Sequence, residues 1–220
     1  MVADPPADPA PVRGRRVVLV RHGQTAWNAE GRAQGHADVG LDDTGRSQAE
    51  LMATVVAGFD PALLVTSDLA RARETAAFLE KETGLTAVED PRLREYDVGE
   101  RTGLTRVEFA ERLGVDALRS WDVHAHVDVA GAETSLDVAE RIVPAVTEVL
   151  DRLGPDETAV VVTHGAALRV ALTGLLGWPV EAADGLEAMH NCGWATLREA
   201  DGGRLRLSSY NRTVAGTPPD

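Results

Sequence analysis

The sequence predicts an α/β fold: a three-layer sandwich with a mostly parallel central sheet and helices on both faces. Short β-branched runs such as Val17-Val18-Leu19-Val20 and Ala159-Val160-Val161-Val162 are apolar on both sides, as strands buried between two layers are. Between such runs lie longer segments with apolar residues at helical spacing, so strands and helices alternate. At 220 residues and 44% hydrophobic content, the chain can bury a large continuous core.

Each element follows in order. Residues 1–16 carry Pro5, Pro6, Pro9 and Pro11 without an apolar run and read as a disordered tail rather than a signal peptide. A strand over 17–20 precedes a polar, Gly-rich stretch, and Asp42 or Asp43 is placed to cap a helix over 44–57. A second strand covers 63–66, with Ser67 or Asp68 as the cap of a helix over 69–82, and a third strand is expected near 86–88. Residues 91–134 are irregular, an expected lid or insertion with a helix around 106–113. Val138, Ile142, Val146 and Val149 share one face of a helix over 135–153. A buried strand over 158–163 leads into a helix from Gly165 to about Leu176. Two closing strands, 194–197 and 205–209, flank a Gly202-Gly203 turn, and 213–220 form a second tail. One domain over 17–212 is expected.

Composition narrows the partners. A net charge of -13 argues against nucleic acid, and no apolar run approaches the ~20 residues of a membrane span. Cys192 is the only cysteine, which excludes an intrachain disulfide and makes the cytoplasm the expected compartment. The sequence is compatible with a homodimer and does not fix the oligomeric state. Lys81 is the only lysine, so cationic sites must use guanidinium groups, whose planar forks suit phosphate. A basic hole in an acidic shell is expected.

In open α/β sheets ligands bind beyond the carboxyl ends of the strands. Arg21-His22-Gly23 ends the first strand, and Ser67 ends the second with Arg71 one turn into the next helix. Thr163-His164-Gly165 ends a later strand, and Leu93-Arg94-Glu95 precedes a Gly-rich stretch. These side chains cover the needs of phosphoryl transfer to a protein group. Neutral imidazole is a nucleophile if a backbone carbonyl holds one nitrogen protonated. Arg21, Arg71 and the second imidazole, His164, can surround the phosphoryl oxygens. Glu95, expected to lie partly buried beside other anions, can protonate the leaving oxygen and then activate water, with Asp97 and Glu100 as near alternatives. Gly23 and Gly165 would let the backbone approach a phosphate. The arginines supply the charge, so neither metal nor cofactor is required. His124 and His126, with Asp122 and Asp128 nearby, read as exposed alternation rather than a metal site, and Cys192 as a small buried residue.

From Val17 to about Tyr210 the chain resembles the histidine phosphatase (phosphoglycerate mutase-like) superfamily. Four motifs carry the resemblance in the family's order: Leu19-Val20-Arg21-His22-Gly23-Gln24-Thr25 with Trp27-Asn28, then Ser67-Asp68-Leu69-Ala70-Arg71-Ala72-Arg73-Glu74-Thr75, then Leu93-Arg94-Glu95, then Val162-Thr163-His164-Gly165. Gly131-Ala132-Glu133-Thr134 is similar to the family's Gly-Glu-Ser segment, with small departures. The resemblance implies that His22 forms a phosphohistidine, that Arg21, Arg71 and His164 line the phosphate pocket, and that Glu95 is the acid/base. It implies that Asn28 and Gln34 also line the phosphate site. The implied activity is a metal-independent phosphomonoesterase acting on a small phosphorylated metabolite. Gln34-Gly35 and the 189–194 stretch point to glucosyl-3-phosphoglycerate; α-ribazole phosphate is the alternative. Mutases of the family follow the acid with Arg-x-Tyr-Gly and carry a tandem arginine pair. Here Glu95 is followed by Tyr96-Asp97-Val98-Gly99, and Arg101, Arg106, Arg112 and Arg119 include no such pair, which favours hydrolysis over mutase-type transfer. A non-catalytic phospholigand-binding protein is a third reading, and the complete set of residue types counts against it.

Overall fold

A computed structural model describes residues 14–114, 118, 129–200 and 202–214. Six strands form one sheet: β1 (Arg16–Arg21), β2 (Pro61–Thr66), β3 (Val88–Glu89), β4 (Thr158–Thr163), β5 (Trp194–Glu199) and β6 (Leu205–Arg212). Their order across the sheet is β3-β2-β4-β1-β5-β6. The first four are parallel, while β5 runs antiparallel to β1 and β6 antiparallel to β5, giving the mostly parallel sheet expected.

Among the described residues, these α-helices accompany the sheet: α1 (Ala26–Ala29), α2 (Asp43–Ala57), α3 (Ala70–Thr83), α4 (Arg106–Leu113), α5 (Ser135–Asp151) and α6 (Gly165–Leu176). The strands' period of two sorts their side chains between two cores. Val18, Val20, Val160 and Val162 pack with Met52 and Val56 of α2 and Ala76 and Leu79 of α3. Leu19 and Val161 pack with Ile142 and Val146 of α5 and Leu168 and Leu172 of α6. Each of the larger side chains among them (Val, Leu, Ile or Met), fully buried, contributes roughly 1.5–3 kcal/mol. This explains why the central strands are apolar throughout rather than alternating with polar residues.

Several boundaries differ from expectation. The third strand lies at Val88–Glu89 instead of 86–88, a two-residue edge pairing with Val65 and Thr66. Asp42 caps α2 by accepting from the Gly45 N–H at 2.7 Å. Neither Ser67 nor Asp68 caps α3: Leu69 holds the cap position, and Asp38 reaches from another loop to accept from the Ala70 N–H at 2.6 Å. Asp68 instead takes a two-pronged pair from Arg94, at 2.8 and 2.5 Å, which draws its pKa down. A capping box between Thr134 and Asp137 starts α5, which stops at Asp151 rather than 153. His124, His126, Asp122, Asp128 and Arg119 lie outside the described residues, as do 1–13 and 215–220 of the two expected tails.

Register places the site. Arg21 lies beside Thr163, and Thr66 beside Val162, so β1, β2 and β4 end together. His22, Ser67 and His164 follow directly from those three ends.

Candidate active site

A cavity of about 270 Å³ opens at this edge, and Arg21, His22, Asn28, Gln34, Arg71, Glu95 and Gly165 all line it. His22 is buried, and its Nδ1–H donates to the carbonyl of Gly23 at 2.7 Å. That bond leaves Nε2 as the lone-pair nitrogen. Burial, reinforced by the charges of Arg71 and then Arg21, holds its pKa well below the usual histidine value. The ring is therefore neutral at pH 7. The carbonyl of His22 accepts from the Cys192 N–H at 3.1 Å and from Asn191 Nδ2 at 3.0 Å, which fixes the residue from the β5 side.

Arg71 is fully buried on the first turn of α3. Its guanidinium donates to the carbonyls of Ala37 (2.9 Å) and Gly35 (2.8 Å) and to His164 Nδ1 (3.2 Å). Five N–H donors serve three bonds, so two remain for a ligand. Burial lowers its pKa to about 10, a value at which the charge persists at pH 7. Arg21 donates to the carbonyl of Met189 and crosses the start of α6. A Cβ on Gly165 would come within 3.3 Å of the Arg21 Cδ and Nε atoms, so glycine there clears its path.

The carboxylate of Glu95 sits at the N-terminus of α6. It accepts from the N–H groups of Ala166 (3.1 Å), Ala167 (2.9 Å) and Tyr96 (3.0 Å). Its surroundings are thus donors, with Arg71 as a charged neighbour, and not the other anions expected. Asp97 lies outside the cavity lining and accepts from the Gly99 N–H at 2.9 Å. The Glu95 backbone is clamped from behind. Arg141 donates to the carbonyls of Arg92 (2.9 Å), Arg94 (2.7 Å) and Glu95 (2.8 Å), while two bonds to Glu133 aim its guanidinium. His36 Nε2 donates to the same Glu95 carbonyl at 2.8 Å.

Two expected residues stand behind the cavity wall rather than on it, His164 with its ring centroid 5.1 Å from that of His22. His164 is fully buried and does not line the cavity. Its Nδ1 accepts from Arg71, so the neutral ring carries its proton on Nε2, which donates to Ser67 Oγ at 2.8 Å. Burial first, then the charge of Arg71, lowers its pKa well below the histidine norm. His164 therefore braces Arg71 as a neutral ring rather than serving as a cation. Gly23 also lies outside the lining, and its N–H donates to Thr75 Oγ1 at 3.0 Å. A Cβ there would meet the Gly45 carbonyl oxygen at 2.5 Å, so close packing against α2 requires this glycine, not approach to a phosphate.

Asn28 lines the cavity and also closes the capping box of α1 with Thr25. Its Oδ1 accepts from the Thr25 N–H at 3.1 Å and from Asn191 Nδ2 at 3.4 Å, which turns its own amide N–H groups away from those partners. Gln34 Oε1 is buried with no hydrogen-bond partner among the described residues. Arg32, Arg101 and Arg169 also line the cavity and were not among the expected site residues. Arg169 had a legible signal: it stands five residues after His164 at the end of β4, much as Arg71 stands four residues after Ser67 at the end of β2.

Known proteins resemble the chain over most of its length. The profile of the histidine phosphatase superfamily (branch 1) matches residues 17–213. A glucosyl-3-phosphoglycerate phosphatase of Mycolicibacterium vanbaalenii is 38% identical over 219 residues, covering 92% of this chain and 97% of that protein. Phosphoglycerate mutase-like protein 4 of Arabidopsis thaliana is 38% identical over 159 residues, covering 70% and 67%. Among solved structures, a mycobacterial glucosyl-3-phosphoglycerate phosphatase in complex with VO3 superposes with a TM-score of 0.84 at 36% identity, covering 90% of this chain and all of that one. On the match across 17–213 and the shared fold, the chain belongs to branch 1 of the histidine phosphatase superfamily.

Proposed function

We propose that this chain is a phosphomonoesterase that works through a phosphohistidine on His22, with glucosyl-3-phosphoglycerate as its substrate. The observation that carries the reading is the His22 ring: Nδ1–H fixed on the Gly23 carbonyl, Nε2 left as lone pair, and the ring neutral on the wall of an arginine-lined cavity. Nε2 attacks phosphorus in line and the ester P–O bond breaks. Arg21 and the two remaining Arg71 donors take the charge on the equatorial oxygens. Glu95 delivers a proton to the leaving oxygen, then accepts one from the water that attacks the phosphohistidine, so inorganic phosphate leaves and the imidazole is restored. What favours Glu95 over Asp97 is its place in the cavity lining and the clamp on its backbone. The substrate choice is supported by the relatives of that name, 38% identical over most of the chain.

Phosphate release from glucosyl-3-phosphoglycerate, 3-phosphoglycerate, α-ribazole phosphate and an aryl phosphate, with EDTA present, tests this. Fast release from glucosyl-3-phosphoglycerate is expected. Release from none of the four contradicts the hydrolase reading, and preference for another member of the panel reassigns the substrate.

A further inference from the structure

Five arginines, Arg21, Arg32, Arg71, Arg101 and Arg169, line the cavity, against one carboxylate, Glu95, among the described residues. Arg21 and Arg71 suffice for a phosphoryl group, and Arg32 is already paired with Glu30 and Glu108. Arg101 is different. It is half-buried, and among the described residues it has no ion pair and its guanidinium makes only one hydrogen bond, a long one of 3.4 Å from Nε to the Val98 carbonyl. The chain holds 35 acidic residues, and Arg15, Arg46, Arg73, Arg92, Arg94 and Arg141 each meet at least one. A desolvated guanidinium without a counter-charge is costly, so its retention in a ligand cavity points to an anion supplied from outside. Burial lowers the pKa of Arg101, and no carboxylate opposes that shift.

The segment bearing Arg101 is built rather than loose. Gly99 adopts φ +53° where a Cβ would strike the Ala130 carbonyl oxygen at 2.2 Å. The Glu100 N–H donates to that same carbonyl at 3.2 Å. On the other side Gly103 N–H donates to the Ala33 carbonyl (2.8 Å) and Ala33 N–H to the Leu104 carbonyl (3.0 Å). Stitched to both neighbours, the turn holds the Arg101 side chain at the cavity wall.

We infer that Arg101 receives a carboxylate of the substrate, so that the site selects phosphomonoesters carrying a carboxylate a few bonds from the phosphate. This deepens the phosphomonoesterase reading and rests on it. Arg101 is thereby a specificity-determining residue, separate from the group that handles the phosphoryl transfer.

The test compares 3-phosphoglycerate with glycerol 3-phosphate, which replaces the carboxylate by a hydroxymethyl group. Dissociation constants are measured by calorimetry in the His22→Ala background, where no phosphoenzyme forms, with and without Arg101→Gln. Tighter binding of 3-phosphoglycerate by about tenfold is expected with Arg101 present, since a charge-assisted pair is lost with glycerol 3-phosphate. Arg101→Gln should bring the ratio of the two constants close to one, and Arg101→Lys should restore part of it. A ratio unmoved by Arg101→Gln, whether both ligands weaken together or neither does, overturns the inference. Because binding is read without turnover, failure of the wild-type protein to release phosphate would contradict the hydrolase reading without altering this ratio.

Discussion

At the scale of single residues, the site depends on groups that hold the reacting side chains as much as on those side chains themselves. Arg141 touches no cavity surface, yet it holds three backbone carbonyls, those of Arg92, Arg94 and Glu95, in the segment that ends at Glu95. Arg141→Ala should lower kcat by about 10–100-fold, because small misplacements of a reacting group are costly. The double variant with Glu95→Gln should be little worse than Glu95→Gln alone, as expected when one residue acts through the other. Fully additive losses would show that Arg141 acts independently of Glu95. The places of Arg21, His22 and Arg71 were legible because their motifs follow strand ends on the same sheet edge, and that of Glu95 through the Leu93-Arg94-Glu95 motif. The place of His164 was not, because it depends on Arg71 and Ser67 saturating both ring nitrogens, and sequence spacing carries no such information.

At the scale of elements, the sequence revealed strands and helices well where burial on both faces made the pattern strong. It was weakest where long-range contacts decide. The edge strand Val88–Glu89 is exposed and only two residues long, so no apolar pattern marks it. The cap of α3 comes from Asp38, 32 residues before the helix start, beyond any local signature. The same limit hid the role of Gly23, which is set by the approach of β1's end to α2. The contact is reciprocal: a Cβ on Gly45 would meet the Gln24 carbonyl oxygen at 2.0 Å. Gly23→Ala must push β1's end and α2 apart, and a destabilisation of at least about 1–3 kcal/mol is expected from the urea midpoint. A midpoint unchanged within error would show that the two elements separate freely at that point.

At the scale of the whole molecule, the expected contrast of an acidic chain with a basic cavity is present: a net charge of -13 surrounds a hole lined by five arginines. The buried neutral histidines also tie stability to pH. His22 and His164 both have folded pKa values well below 6.5, so on acidification the unfolded chain binds their protons first. Stability is then full above about pH 7 and falls as pH drops through about 6.5, with uptake of up to about two protons. Asp68 and Glu133, whose folded pKa values are lowered, stabilise above the usual carboxylate range and lose that contribution as pH falls below about 4. Urea titrations from pH 7.5 to 5.5 should therefore show a falling midpoint, and a flat profile would mean that these rings take up protons in the folded state.

The central claim, a covalent phosphoenzyme on His22, is most directly tested by rapid quench under alkaline conditions followed by peptide mass spectrometry. One acid-labile phosphoryl group on the peptide containing His22, formed and lost at rates consistent with kcat, is expected. Turnover with no adduct on that peptide at any quench time, or undiminished turnover by His22→Ala, would contradict the mechanism.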